Sequence, residues 1–174
     1  ALLYLEGQVY TQDFAAAAKW FRVAADQDVP DAQQALATLY REGRGVEKNP
    51  AEAARWLARA AALRHPPSMT EYAFAVYNGD GVPKDEVAAG RWFHLAALYG
   101  NPIAQYRLAY LLLNGLGGFT RDPVEATAWY LYARSRGASN PTLDELFVKL
   151  PDNEREAAAK IVQAWENGTK LPRS

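Results

Sequence analysis

The sequence predicts an all-α fold, a right-handed solenoid of stacked helix hairpins, from two periodic patterns and the composition. All tryptophans recur every 36 or 37 residues, and a series of glycines keeps the same period. Alanine is abundant and β-branched runs are scarce, which favours helices over strands. Periods of about 20–50 residues are typical of repeat proteins, in which each unit buries its apolar face against the next. The tryptophans are Trp20, Trp56, Trp92, Trp129 and Trp165.

The composition excludes several classes of protein. The 174 residues are enough for one domain with a buried core. Lys plus Arg (19) nearly balance Asp plus Glu (20), and a net charge of -1 without a long basic run argues against nucleic-acid binding. Cysteine is absent, which excludes disulfides, thiolate zinc sites and cysteine nucleophiles. No apolar stretch approaches the roughly 18 residues of a membrane span, so we expect no membrane insertion.

The glycines mark the joints between helices. Each glycine of a first series is predicted to end a helix in the left-handed conformation, and a second glycine follows two residues later except after Gly7, where Val9 stands. An asparagine or aspartate then caps the next helix, with proline at the first helical position in two joints. A Gly-x-Gly before a helix can also hold phosphate, but a phosphate loop does not recur in every repeat, so we interpret these segments as turns. The residues are Gly7, Gly43, Gly79 and Gly115; Gly45, Gly81 and Gly117, with an inserted Gly118; Asn49, Asp85 and Asp122; and Pro50 and Pro123.

Each unit contains a first helix, helix A, and a second helix, helix B. In the second unit, helix A is DAQQALATLYRE and helix B is PAEAARWLARAAALR. Helix A carries an apolar stripe of Ala32, Leu36 and Tyr40 at a spacing of four residues. On helix B a small residue precedes each tryptophan by three positions, so that neighbouring helices can approach while the indole fills the gap between them. We therefore predict that the tryptophans are buried between successive hairpins. The small residues are Ala17, Ala53, Ala89, Ala126 and Val162.

We predict a single repeat domain over residues 1–174. The opening ALLYLEG reads as the end of a helix, which indicates a fragment of a longer chain. In the last hairpin Pro151 and Asp152 replace the glycine turn, and the charged helix NEREAAAKIVQAWENG is typical of a terminal cap with one polar face. The helix before it keeps an apolar stripe of Leu143, Leu146, Phe147 and Leu150. The predicted repeats span residues 1–30, 31–66, 67–102 and 103–139, and the cap spans residues 140–168.

The repeat pattern resembles a known family. The segments AQQALATLYREGRGVEKNPAEAARWLARAA and AQYRLAYLLLNGLGGFTRDPVEATAWYLYA follow A-x3-L-G/A-x2-Y-x2-G-x-G-V-x3-D-x3-A-x2-W-x3-A-A-x2-G, apart from the extra Gly118. This pattern is similar to that of the Sel-1-like repeat family, relatives of the tetratricopeptide repeats. The third unit departs from it at Val76, where the family has Tyr, and at Gly90 inside helix B, where glycine is expected to weaken the helix.

The resemblance implies a function as an adaptor or scaffold module. Many bacterial members of the family are exported and serve envelope or signalling functions. The absence of cysteine suits both the cytosol and the periplasm, so the compartment stays open, and the resemblance favours the periplasm.

The residues that could carry chemistry do not form a recognisable site. The two histidines, His65 and His94, fall in adjacent units without metal-ligand spacing, so we expect no metal and interpret them as isolated or partly packed side chains. The serines Ser68, Ser135 and Ser139 lack both a G-x-S-x-G context and an evident histidine partner. We therefore predict no catalytic activity and no cofactor.

The predicted binding surface lies on the A helices, which by resemblance to tetratricopeptide arrays line the concave face. A helical wheel that turns Ala32, Leu36 and Tyr40 to the core leaves a strip of aromatic and polar residues facing solvent. Exposed aromatic patches commonly mark binding sites, so we predict a protein or peptide partner, with an envelope glycan such as peptidoglycan or exopolysaccharide as the alternative. A structural alternative is that these rings pack against neighbouring A helices or a missing N-terminal segment. The predicted residues are Gln34, Thr38, Arg41, Thr70, Glu71, Phe74, Tyr77, Tyr106, Arg107, Tyr110 and Leu113.

Overall fold

A computed structural model describes residues 13–138 and 140–168 of the chain. The predicted helix end in ALLYLEG, including Gly7, lies outside the described residues, as do Ser139 and Pro172. The described residues belong to two compact units, the first ending at Asp85 and the second beginning at Glu86. Whether they form the predicted single repeat domain stays a prediction.

Nine helices are described, and they alternate between the B and A positions of the predicted hairpins. In unit 1 they are α1 (Phe14–Asp26), α2 (Pro30–Glu42), α3 (Pro50–Ala62) and α4 (Pro66–Asn78). In unit 2 they are α5 (Glu86–Leu98), α6 (Pro102–Asn114), α7 (Pro123–Ser135), α8 (Pro141–Val148) and α9 (Asp152–Glu166). The A helices are α2, α4, α6 and α8, and the others are B helices.

The glycine turns are confirmed. Gly43, Gly79 and Gly115 end α2, α4 and α6 with φ angles of 73°, 83° and 66°, in the left-handed region that glycine enters at little cost. The second glycine of each turn in unit 1 is required for a different reason, which is the close approach of another backbone segment. A Cβ atom on Gly45 would lie 2.2 Å from the carbonyl carbon of Phe14, and one on Gly81 would lie 2.2 Å from the carbonyl oxygen of Pro50. In unit 1 the loop after each A helix therefore touches the backbone at the start of the previous B helix, and only glycine allows this contact.

The helix caps agree with the sequence where they are described. The side chain of Asn49 accepts a hydrogen bond from the Glu52 amide at 3.1 Å, and that of Asp122 accepts one from the Glu125 amide at 2.9 Å. Proline occupies the first turn of both helices. These bonds satisfy amides that have no partner within the helix. The predicted cap at Asp85 stays a prediction.

The small residues that precede the tryptophans are buried before all five tryptophans. Trp56 and Trp129 are fully buried, Trp165 is nearly so, and Trp92 is partly buried. The prediction is wrong for Trp20, whose side chain is 57% exposed. The equivalent ring of Trp56 is approached from α1 by the Arg22 guanidinium, 5.9 Å from the ring centroid. Among the described residues no helix precedes α1 to cover Trp20 in this way.

The last hairpin of unit 2 packs on α7 through aromatic rings. Phe147 of α8 stacks on Tyr130 with ring centroids 4.4 Å apart, and Trp165 of α9 lies 4.8 Å from Trp129. In the predicted stripe, Leu143 and Phe147 are buried, but Leu146 is exposed. Among the side chains of α8 that the structure describes, those of Leu143 and Phe147 alone are buried, so the stripe is narrower than predicted.

Candidate interaction surfaces

In unit 1, α2 and α4 bring three of the predicted binding residues together. Arg41 donates a hydrogen bond from Nη1 to Oε2 of Glu71 at 2.7 Å, and Gln34 donates from Nε2 to the other carboxylate oxygen. Thr38 lies on the same helix, but its hydroxyl donates to the backbone carbonyl of Gln34 at 3.2 Å. Both oxygens of Glu71 are thus held between the two A helices. The arrangement presents a fixed, half-exposed ion pair on this surface.

A cavity of about 80 Å³ opens beside this ion pair. Arg41, Glu71 and Phe74 line it together with Asp80, and its remaining walls are apolar. Because the side chains of the apolar walls are largely buried alanines and a leucine, the cavity can accept a small apolar group next to charged partners. The apolar lining residues are Pro50, Ala53, Ala54, Leu57 and Ala75.

Tyr77, one turn beyond Phe74 on α4, is partly buried. The Lys84 ammonium lies 5.8 Å from the centroid of its ring, within the range of a cation–π contact. The ring therefore already has a cationic neighbour on one side.

Thr70 does not lie on the exposed surface, contrary to the prediction. Its side chain is buried, and its hydroxyl donates to the carbonyl oxygen of Pro66 at 3.0 Å. The buried arc of α4 includes Ser68, Met69 and Thr70, and it is wider than a single stripe with a spacing of four residues. A helix that packs on both flanks buries positions that a one-stripe wheel assigns to solvent.

In unit 2, Arg107 and Tyr110 of α6 lie together. The Arg107 guanidinium carbon is 5.5 Å from the centroid of the Tyr110 ring and 5.7 Å from that of Phe93 on α5. Tyr110 and Leu113 are partly buried, as an accessible surface position on a packed helix would be. The cation and the ring thus form one patch.

Tyr106 is also a correction, because it belongs to the core of unit 2. Its side chain is 6% exposed, and its hydroxyl donates to the carbonyl oxygen of Ala138 at 2.7 Å. Its ring lies 5.9 Å from that of Tyr130. Burial raises the pKa of Tyr106. A ring held on both its face and its hydroxyl ties α6 to the segment that follows α7.

Both histidines are partly packed, which is one of the two predicted alternatives. The prediction is wrong for Ser68, which has a histidine partner. His65 occupies the position before α4 without a side-chain capping bond; its Nδ1 lies 2.8 Å from Oγ of Ser68, and its Nε2 lies 3.2 Å from a carboxylate oxygen of Asp31. The three residue types are those of a serine hydrolase. However, Ser68 is completely buried, so a substrate has no access to its hydroxyl. The contacts instead link the starts of α2 and α4.

His94 on α5 packs edge-on against Phe119, with ring centroids 6.0 Å apart. Burial lowers its pKa. Within residues 13–138 and 140–168, no three His, Asp or Glu side chains are grouped so that they could hold a metal ion. None of the helices described is both long enough and apolar enough to cross a membrane.

Comparison with known proteins identifies the repeats. The sequence model of the Sel1 repeat matches residues 1–29, 30–65, 66–101 and 102–137. The matched boundaries differ by one or two residues from the predicted ones, because the A helices begin at Pro30, Pro66 and Pro102. No curated protein matches the chain.

Two solved structures are similar to the chain. One is a protective antigen present in uropathogenic Escherichia coli strains, which displays an SLR fold; it is 34% identical with a TM-score of 0.74, over 78% of this chain and 29% of that protein. The other is a Sel1 repeat protein from Oxalobacter formigenes, 23% identical with a TM-score of 0.73, over 99% of this chain and 64% of that protein. The chain therefore spans less than two thirds of either protein. The predicted class, an α-solenoid of helix-hairpin repeats, is confirmed.

Proposed function

Because the chain belongs to the Sel1 repeat family, whose members are generally non-enzymatic protein-interaction scaffolds, we propose that it binds a peptide or partner domain along the surface of its A helices. The observation that carries this proposal is the cavity in unit 1, where Arg41, Glu71 and Phe74 lie around one opening. The predicted residues Gln34, Thr38 and Tyr77 extend the same surface.

The contacts in unit 1 support recognition of a short peptide segment. The cavity of about 80 Å³ is far smaller than the roughly 300 Å³ at which sites for whole small molecules begin, so it suits one apolar side chain. The Arg41–Glu71 pair beside it carries one donor group and one acceptor group in fixed positions. Such a pair can direct the backbone or a polar side chain of a partner while the cavity takes the apolar one.

In unit 2 we propose a separate binding patch, formed by Arg107, Tyr110 and Leu113. Tyrosine supplies a large contact area and a hydroxyl with few rotatable bonds, which suits peptide recognition. Thr70 and Tyr106 are excluded from the proposal because they are buried. The remaining nine residues form the proposed binding set.

The test is a selection for peptide ligands followed by charge reversal. A phage-displayed library of random peptides is selected on the immobilised chain, and an enriched peptide is synthesised and titrated by calorimetry. We expect Arg41→Glu to weaken its binding at least tenfold. The reversed charge disrupts the pair with Glu71 and repels any group of the peptide that accepts a hydrogen bond from Arg41. Arg55→Glu serves as the control, since Arg55 is an exposed arginine on a B helix of the same unit.

Equal affinity of the wild type and Arg41→Glu for every enriched peptide would overturn this placement of the surface. Sedimentation of the chain with purified peptidoglycan sacculi, unaffected by Arg41→Glu, would favour the glycan alternative instead. Melting temperatures of both variants within a few degrees of the wild type would show that a loss of affinity is not caused by unfolding.

A further inference from the structure

A second cavity, of about 150 Å³, lies in unit 2 among α7, α8 and α9. It is larger than the cavity beside the Arg41–Glu71 pair and contains none of the residues predicted to bind a partner. Leu131, Phe147 and Val148 form its apolar walls, and Val148 is 65% exposed. An apolar cavity of this volume is enough to hold a group the size of benzene.

The charged groups that line this cavity are both arginines, Arg134 and Arg155. The nearest interactions of Arg134 involve Tyr130: Arg134 donates from Nη1 to the tyrosine hydroxyl at 2.8 Å, and that hydroxyl donates to Asp144 at 2.6 Å. Asp144 is therefore engaged by the tyrosine and is not a lining residue. Arg155 donates from Nη2 to Asp152 within the first turn of α9.

Each guanidinium group retains donors beyond those it uses. An arginine carries five N–H donors, and one hydrogen bond is described for each of these two side chains within the described part of unit 2. Both arginines are exposed, so a ligand can reach them without rearrangement of the helices. The cavity thus combines an apolar wall with two cations that can bind the same anionic group.

We propose that this cavity binds the last residue of a partner polypeptide, with an apolar side chain against Leu131, Phe147 and Val148 and the free terminal carboxylate on Arg134 and Arg155. Charge complementarity selects a carboxylate, since guanidinium–carboxylate hydrogen bonds are among the strongest that a protein surface offers. The apolar wall selects a carboxylate attached to an apolar group. The volume limits that group to a single side chain.

A free inorganic anion would use the arginines and leave the apolar wall exposed to water. An internal apolar side chain of a peptide would fill the wall and make no use of the remaining N–H donors of the two arginines. A terminal leucine, valine or phenylalanine satisfies both features at once. This inference does not depend on the A-helix surface of unit 1, because the two cavities share no residue.

The experiment uses two synthetic peptides and the full chain. Both are acetylated pentapeptides of four alanines followed by leucine; one has a free carboxyl terminus and the other a terminal amide. Binding is followed by ¹H–¹⁵N correlation spectra of the labelled chain. We expect the free-acid peptide to shift the amide signals of Leu131, Phe147 and Val148, and the amide peptide to bind at least tenfold more weakly.

Variants separate the two contacts. Val148→Asp places a carboxylate at an exposed wall position and should abolish binding of the free-acid peptide; Arg155→Gln should weaken it at least fivefold. Arg91→Gln, an exposed arginine on α5 in the same unit, is the matched control and should leave the affinity unchanged. The proposal would be overturned by equal binding of the acid and amide peptides, by shifts confined to other residues, or by no binding at millimolar peptide. Failure of sodium chloride or phosphate to displace the peptide would support the proposal. Phosphate alone that shifts the same signals would overturn it, because it would identify an anion site without peptide selectivity.

Discussion

The chain carries aromatic side chains on both its B helices and its A helices, and the tryptophans at the centre of the B row differ in burial from two tyrosines of the A helices. On the B helices, Trp56 and Trp129 are fully buried. On the A helices, Tyr77 and Tyr110 remain partly exposed, and each has a cationic side chain 5.8 Å or 5.5 Å from its ring centroid. The comparison teaches that the repeat period fixes where a ring lies along the chain. The helices that cover its face decide whether it serves packing or remains available for binding.

The neighbours of the buried rings also differ between the units. In unit 1 the Arg59 guanidinium carbon lies 4.8 Å from the centroid of Trp56. In unit 2 the ring of Trp165 lies 4.8 Å from that of Trp129, and Tyr132 packs on both. The same repeat position thus has cationic neighbours in one unit and tilted or edge-on aromatic neighbours in the other. What is common to both is complete exclusion of the indole from water.

The largest expected loss of stability comes from removing a buried tryptophan side chain. Trp56→Ala and Trp129→Ala should each lower the free energy of unfolding by about 3–5 kcal/mol, since each leaves a large cavity in a packed core. Urea unfolding followed by circular dichroism measures the loss. Trp165→Ala, at the last helix, should cost less than Trp56→Ala, because an end position has fewer neighbouring repeats. Retention of wild-type stability in Trp56→Ala would contradict the packing described.

Replacement of Gly90, a glycine close to Trp92, should give the next largest loss of stability. Gly90 lies two residues before Trp92 on α5, and helix propensity alone predicts that Gly90→Ala stabilises the chain by about 1 kcal/mol. A Cβ atom at this position would lie 2.3 Å from the carbonyl oxygen of Gly117. We therefore expect a net loss of about 1–3 kcal/mol, because the loop would have to move. A gain in the free energy of unfolding would show that the loop does not press on α5.

The hydroxyl beside Trp129 provides a test in alkaline solution. Burial, together with the hydrogen bond to Asp144, raises the pKa of Tyr130 to about 12. Its unfolded value is about 10, so the neutral hydroxyl contributes stability that is fully present below about pH 10 and is lost as the pH rises towards 12. Between pH 8 and pH 11 the wild type should lose more stability to urea than Tyr130→Phe does. Equal losses would mean that the hydroxyl is not held as described.

Replacement of the exposed Trp20 should give the smallest loss of stability. Trp20→Ala should change the free energy of unfolding by less than about 1 kcal/mol, because more than half of the indole already contacts water. The same urea titration used for Trp56→Ala measures it. A loss comparable with that of Trp56→Ala would mean that Trp20 is covered in solution.

Much of the fold could be predicted because its signals are local and repeated. The left-handed glycines, the Asn49 and Asp122 caps and the phase of the tryptophans each depend on a few neighbouring residues. Each signal also recurs, so one repeat verifies the interpretation of another. The glycine at position 90 could be located but not understood, because its contact is with a loop almost 30 residues away.

The candidate site was harder to predict because burial depends on distant partners. Thr70 and Tyr106 look like surface residues on an isolated helix, yet neighbouring segments enclose both. The glutamines Gln33 and Gln105 were missed for the same reason. Both are fully buried, and each donates from Nε2 to a carbonyl oxygen near the end of the preceding B helix, at 3.0 Å to Ala25 and 3.2 Å to Ala97.

The repeat period contains a signal that the two glutamines are buried. The position between them, one repeat from each, holds Met69, which is also fully buried. A polar residue that alternates with methionine at one repeat position indicates a core position with a hydrogen-bond acceptor nearby. Comparison of repeats within one chain can therefore identify buried polar residues that helical periodicity alone assigns to solvent.

The central proposal is that Tyr77 and Tyr110 of the A helices serve binding and not packing, and the double variant Tyr77→Ala with Tyr110→Ala tests it most directly. The variant is titrated with a peptide selected on the wild-type chain, and its thermal unfolding is recorded under the same conditions. We expect the affinity to fall at least tenfold while the melting temperature changes by only a few degrees, which corresponds to about 1 kcal/mol for a chain of this size. Collapse of the cooperative transition, or unchanged affinity in a stable variant, would contradict the claim.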